Sequence, residues 1–468
     1  MNLIYKLKSF AFGPILGAFL SVITIPLLAW VFDSEDVGRY TLLQTLINFS
    51  MLVFSMAMHQ AYVRHYNEYE DKSLLLLSSM IPGLAVIVIA FTAYLLFFYG
   101  YFSERLFLSS FNFDIMFILI LLISYFNYMF MHVIRMKENV IMFNISQVLP
   151  KVIILFSVFF LVITKNEVEE HFFYLICSVL LSSLSVFFIY CYVVRQDILG
   201  LKLSYLVFSK CKELLKFSLP LFLGSWAYWG LSAMDRFFIT WYSDLDNLAI
   251  YGVAASFAGV ASLLSKILSN TWHPIIYGMK DNEELKIKLY STCNLVLYFT
   301  LVFWCFIGAT NWLIGFFLPS DYTDVPSIFL VCISSPLLYM ISEITIIGVA
   351  LKKRTSLAMM SSIVAFISNA VLNFILVPEF GAKGAAIATA ISFFLFLMFR
   401  TEFSRCLGYE FNSKVIYIYT LLFLFFSIFS LFFEHVFYIS FSWVILGLLV
   451  FKFKFLPAFV NAKDMNLL

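Results

Sequence analysis

The sequence predicts an all-α polytopic membrane protein of about 14 transmembrane helices: two six-helix lobes in parallel repeat around a central cavity, plus two C-terminal helices. Three observations carry this. Of the 468 residues, 62% are hydrophobic and only 12% are charged, far from the roughly half apolar and one quarter charged of a soluble domain. Apolar segments of about 20 residues, enough to cross about 30 Å of hydrocarbon, recur along the whole chain. The joints between them alternate between acidic and basic, as the positive-inside rule requires of successive crossings.

The first apolar run, Phe10 to Phe32, exceeds the roughly 7 to 15 residues of a signal-peptide core and lacks a small-x-small cleavage site, so it is expected to remain as the first span. Further spans at 39–63, 75–100, 113–134, 140–163 and 172–194 complete an N-terminal lobe, 1–194. A basic cytoplasmic linker, 195–213, leads to spans at 214–241, 249–277, 289–317, 326–351, 356–378 and 384–402, the second lobe, 214–402. Residues 403–468 supply two more helices, 415–433 and 436–451, and a cytoplasmic tail. Arg135, Lys137, Lys202, Lys210, Lys212, Lys352, Lys353 and Arg354 gather in one set of joints. Only Arg39, Arg105, Lys165 and Lys383 fall in the other, which carries DSED, NEVEE and DLD. Both termini are therefore expected in the cytoplasm. Tyr40–Tyr66 and Tyr251–Tyr277 have the same spacing and the same acidic flanks. A parallel repeat of this kind places a substrate site between the halves of several transporters.

The stretch LLSKILSNTWHP (263–274) puts Lys266 inside an apolar run. An intramembrane ammonium costs about 2.5 to 3.5 kcal/mol on insertion scales and normally faces a bundle interior or a wet cavity. Other polar groups share helical faces with it or resemble it. Gln44, Asn48, Ser55 and His59 line span 2; Ser262, Lys266, Asn270 and His273 line span 8. Asn144, Gln147 and Lys151 lie on span 5, Ser225, Ser232, Asp235 and Arg236 on span 7, and Asn369 and Asn373 on span 11. Neutral residues of this kind also act as interhelical glue, at about 0.6 kcal/mol each. Lys151 and Lys266 are different, because at about 1.5 Å per residue they lie roughly 16 to 18 Å from the inner helix ends, too deep for easy snorkelling.

Arg64 and Arg236, nearer helix ends, suit structural and substrate roles equally. Asp235 and Glu343 are the carboxylates placed within spans, where they either neutralise Lys266 or Lys151 or exchange protons as coupling groups; His59 and His273 are further coupling candidates. A cavity with excess cation and many amides suits an anionic, hydroxyl-rich solute. A multidrug exporter of cationic substrates would more often present acidic groups.

An enzyme is not expected. A membrane glycosyltransferase or polymerase is the serious competitor, yet every outer joint is short, and the DLD at Asp244–Asp246 sits in a turn. No phosphate-binding loop, zinc motif or nucleophile elbow occurs. Seven cysteines show neither paired nor metal-like spacing, so no metal, cofactor or disulfide framework is expected.

Four stretches then carry a resemblance: GPILGAFLSVITIPLLAWVFDSEDVGRYTLLQT (13–45), HQAYVRHYNE (59–68), KFSLPLFLGSWAYWGLSAMDRFFI (216–239) and SNAVLNFILVPEFGAKGAAIATAIS (368–392). These resemble the polysaccharide flippases, the Wzx-type O-antigen and capsule transporters. Their superfamily also holds the lipid II flippase and the multidrug and toxin extruders. The resemblance covers about the first 400 residues. The joint PEFGAKGAAIAT is its most telling piece: Pro378 ends a helix, Gly381 and Gly384 permit a tight turn, and Ala385 to Ala390 allow close packing.

The resemblance implies two lobes alternating between inward-open and outward-open states in the bacterial cytoplasmic (inner) membrane. It implies as cargo an undecaprenyl-pyrophosphate-linked oligosaccharide. Membrane lipids, a polysaccharide polymerase and chain-length proteins are its implied partners; nucleic acid is not. Arg64 in QAYVRHY and Asp235 with Arg236 in MDRFF match recurring family positions, whereas Lys151 and Lys266 rest on their depth alone. A multidrug-type cation-coupled exporter of the same fold is the alternative reading, and a membrane glycosyltransferase or polymerase stands third.

Overall fold

The computed structural model describes residues 3–107, 113–164, 171–200, 205–277, 279, 283–433 and 436–464. Lys165, Lys202 and the whole NEVEE joint lie outside these residues, as do the side chains of Arg105 and Asn270. All regular structure among the described residues is helical. The chain divides into two compact units, Met1–Trp226 and Ala227–Leu468.

The first unit contains α1 (Leu3–Val31), α2 (Ser34–Ser55), α3 (Met58–His65), α4 (Lys72–Phe97), α5 (Asp114–Met136), α6 (Val140–Thr164), α7 (His171–Leu199) and most of α8 (Tyr205–Ala233). The joints before α2 and α5 are tightly tied. Arg39 bonds Asp36 at 2.5 Å, Glu35 at 2.9 Å and the Phe107 carbonyl at 2.7 Å, while Asp114 at the start of α5 accepts from the Gly100 and Ser103 amides. α1 packs on α6 at backbone distance. A Cβ on Gly13 would fall 2.7 Å from the Asn144 Cα, and one on Gly17 would fall 2.9 Å from the Gln147 carbonyl oxygen. The two glycines, four residues apart, form the small-x-x-x-small face that lets membrane helices approach closely.

The second unit contains α9 (Asp235–Tyr242), α10 (Leu245–Gly259), α11 (Ala261–Tyr277), α12 (Glu283–Thr310), α13 (Val325–Cys332), α14 (Ser334–Thr345), α15 (Ile347–Leu351), α16 (Thr355–Cys406), α17 (Ser413–Ser430), α18 (Val436–Val450) and α19 (Leu456–Asp464). The 52 residues of α16 are two spans joined at Gly381, whose φ of 52° and ψ of −126° are non-helical. A Cβ there would lie 2.5 Å from Asn247 Oδ1, and that same oxygen accepts from the Ala382 amide at 3.1 Å. The glycine in PEFGAKGAA is thus required both by its dihedrals and by the amide beneath it.

Among the described residues eleven helices are long and apolar enough to cross a membrane, or twelve with the bent pair α2–α3. Dividing α16 at Gly381 and adding the α8–α9 pair brings the total to the predicted fourteen or so. The predicted spans are not all continuous, however. Span 2 breaks at Met56 and Ala57, and its two pieces meet at 56°. Span 7 breaks at Met234, span 8 at Val260, and span 10 at Ile333 and Ile346. The 211-residue shift carries Ser34 onto Leu245, the first residues of α2 and α10, but the breaks within the paired spans do not correspond.

Candidate functional site

In the first unit, the break between α2 and α3 turns His59 away from the face shared by Gln44 and Asn48. Gln44 is half-buried and Asn48 is exposed; Ser55, expected on the same stripe, is buried and lies within hydrogen-bond range of the Leu52 carbonyl. His59 Nε2 lies 3.2 Å from the Tyr128 hydroxyl, and its ring stacks on His132 at 4.8 Å. On α6, the Asn144 Oδ1 accepts from the Gly13 amide at 3.0 Å, and Gln147 Nε2 approaches Met131 Sδ at 3.5 Å. Both amides therefore contribute to helix packing. Lys151, one turn further along the same face, has no ion-pair or hydrogen-bond partner among the described residues. Arg64 is exposed and pairs with Glu68 at 2.9 Å. Glu68 also meets His65 at 2.5 Å, a hydrogen bond that holds its carboxyl below the usual carboxylate range.

The second unit holds two buried polar networks. In one, Asp235 is fully buried and its Oδ2 accepts from the Thr389 hydroxyl at 3.1 Å. Thr389 in turn accepts from Asn369 Nδ2 at 3.1 Å, and Asn373 Nδ2 donates to Asn369 Oδ1 at 3.1 Å. Asp235 Oδ1 and Asn373 Oδ1 are left without a hydrogen-bond partner. No ion pair reaches Asp235 among the described residues. Its neighbour Arg236 lies over the Tyr251 ring at 5.7 Å.

The other network centres on Glu343. Sequence reasoning offered Lys266 or Lys151 as its counter-charge; the structure supplies Arg400 instead, at 2.7 Å, with the two side chains 12% and 10% exposed. Arg400 also donates to Ser342 Oγ at 3.2 Å and lies over the Phe396 ring at 4.1 Å. Ser269 donates to the other Glu343 oxygen at 2.7 Å, and His273 Nε2 stands 3.7 Å from that oxygen. Arg400 lies six residues before the end of α16, where an arginine in sequence is indistinguishable from a membrane anchor. Lys266 is left exposed on α11, with no partner among the described residues. Residues that could hold a metal do not assemble either: among the described residues no group of three His, Cys, Asp or Glu converges.

Many crossing helices with ionisable groups held inside them are an architecture that membrane transporters share. The chain belongs to the polysaccharide biosynthesis protein family, whose model matches residues 8–280. A curated relative, the probable low-salt glycan biosynthesis flippase Agl15 of Haloferax volcanii, is 25% identical over 184 residues. That match spans 38% of each protein. Among solved structures, the lipid II flippase MurJ in an inward closed conformation superposes with a TM-score of 0.66, at 19% identity and over 99% of both chains. An inward-facing multidrug resistance MATE family transporter gives 0.57 at 12% identity, covering 86% of this chain and 97% of its own. At such identities the likeness is one of fold. The relatives are flippases and transporters rather than enzymes, in keeping with the expectation from sequence.

Proposed function

We propose that the protein is a flippase. It moves an undecaprenyl-pyrophosphate-linked oligosaccharide, an O-antigen or capsule repeat unit, from the cytoplasmic to the outer leaflet of a bacterial inner membrane by alternating access. The observation that carries this reading is membership of the polysaccharide biosynthesis family over residues 8–280, on a fold shared with a lipid II flippase.

In this reading Lys266 and Lys151, intramembrane cations with no ion-pair partner among the described residues, meet the pyrophosphate, since an intramembrane charge usually marks a substrate pathway. Gln44 and Asn48 present amides to sugar hydroxyls, and Arg236 and His273 are further cargo contacts. Asp235, whose Oδ2 accepts from the Thr389 hydroxyl, and Glu343 are the coupling candidates. The cytoplasmic termini, the lobe boundaries and the working link to a polymerase and chain-length proteins belong to the same proposal.

The test is complementation of a flippase-deficient strain, scored by surface polysaccharide, with lipid-linked repeat units of the inner leaflet measured alongside. Restored polysaccharide with cleared intermediates supports the flippase. Unchanged intermediates across a panel of strains with different repeat units, together with efflux of cationic drugs, would place the protein with the multidrug exporters.

A further inference from the structure

The bend between α2 and α3 is made without glycine or proline. Met56 and Ala57 both adopt left-handed conformations, with φ of 46° and 57°, a strained arrangement that persists only where its surroundings hold it. Two residues beyond the bend, His59 stacks on His132 of α5 with ring centroids 4.8 Å apart and planes 27° from parallel. Tyr128 stands edge-on to both rings, at 5.0 and 5.2 Å, and its hydroxyl is the pair's single hydrogen-bond partner among the described residues. His59 Nδ1, His132 Nδ1 and His132 Nε2 are buried with no partner. Unpartnered buried polar atoms are uncommon and call for an explanation beyond packing.

The charged groups around the pair do not neutralise it. Arg135, three residues beyond His132 on α5, has the same sign as an imidazolium. Arg64 and His65 on α3 are engaged by Glu68, Lys72 at the start of α4 by the Tyr66 and Tyr69 carbonyls, and Lys137 of α5 by Asp197 of α7. From α8, the atoms that reach α3 are Ser218 on Met58, Ser225 on Gln60 and the Phe217 ring on His65, all neutral. No carboxylate bonds either ring among the described residues.

We propose that His59 and His132 form a one-proton latch on the α2–α3 bend. With both rings neutral, the stack and the Tyr128 bond fasten α3 to α5. A proton on either ring makes an imidazolium for which this pocket offers no acceptor, and a second proton is excluded by the first at stacking distance. The charged ring leaves the stack. His59 rides on α3 just past two strained residues, whereas His132 sits in the unbroken 23-residue α5, four residues before its end, so it is α3 that swings. The latch would act whatever the cargo.

The test uses the full-length protein in lipid nanodiscs, in a cysteine-free background, with spin labels at Asn67→Cys beyond α3 and Gln196→Cys near the end of α7. Both positions are exposed. Pulsed electron–electron distance measurement between about pH 8 and pH 4, which covers the range in which histidine changes charge and extends below it, should show a second distance that grows in with the steepness of a single proton. His59→Phe with His132→Phe keeps two stacked rings without a titrating nitrogen and should fix the pH 8 distance throughout. Either single phenylalanine variant retains one titrating ring and should still shift, and His59→Gln with His132→Gln provides a smaller pair should the phenylalanines not fold. A distance indifferent to pH in the parent overturns the proposal, as does an unchanged shift in the double variants or a two-proton steepness.

Discussion

Glu343→Gln tests the buried charge pair most directly. The substitution keeps the shape and hydrogen bonding of the side chain but leaves the Arg400 guanidinium, 12% exposed, without its anion. Removing one member of a buried pair costs about 3–5 kcal/mol, a large share of the roughly 5–15 kcal/mol that holds a typical domain folded. Removing both members is a different perturbation. In Glu343→Leu with Arg400→Met no charge is left stranded. The two hydroxyls that served the pair also keep backbone partners: Ser269 on the Ser265 carbonyl at 2.9 Å and Ser342 on the Tyr339 carbonyl at 2.8 Å. The double variant should therefore lie within about 1–2 kcal/mol of the parent, since replacing a whole buried pair is often neutral or better. Denaturant midpoints in detergent for the parent, Glu343→Leu, Arg400→Met and the double variant measure the coupling. Each single variant should be markedly less stable and the double variant largely restored. Single variants as stable as the parent, with additive effects in the cycle, would refute the ion-pair argument and leave Glu343 free for proton coupling.

Three further outcomes are expected. Lys266→Ala and Lys151→Ala should slow transport about ten- to a hundredfold, the worth of a charge-assisted hydrogen bond of about 1.5–3 kcal/mol, with membrane levels unchanged and Lys266→Arg milder; variants lost from the membrane would mark the lysines as structural. Gly381→Ala should cost about 1–3 kcal/mol from its backbone dihedrals alone, and because that strain is independent of the amide beneath it, prior Asn247→Ala should not abolish the loss in thermal unfolding. Accessibility tags at 33–38 and 242–247 should report the outer side and tags at 352–355 the cytoplasm, and a reversed pattern would end the assigned orientation.

The spans were legible because a bilayer imposes length and hydropathy together, and the signs of Lys137, Lys352 or Asp244 sort the joints. The breaks were not. Nothing in SMAM marks Met56 and Ala57 as left-handed, since neither glycine nor proline is there, and the bend is fixed by what packs around it. The PEFGAKGAA kink was readable for the opposite reason, its glycines being the direct requirement of the turn. Pairings between distant residues stayed hidden as well: Arg400 lies 57 residues from Glu343, and Thr389 lies 154 from Asp235. Asn144 shows how a polar residue in a span can mislead, because an amide that suits a wet cavity is equally able to bond the bare backbone of a glycine. His132 was visible as an ionisable group in an apolar run, but without its stacking partner it carried no sign of its setting.

The glycine face of α1 bears on how the chain is made. Its partner on α6 lies 131 residues downstream, and at about 5–20 residues per second of synthesis that partner follows by roughly 7–26 seconds. For that interval the first helix sits in lipid with Gly13 and Gly17 unmatched, and any other helix presenting small residues can occupy the strip. The order in which spans leave the ribosome thus creates a window for mispairing, one that an insertase or a slow lateral release would have to guard.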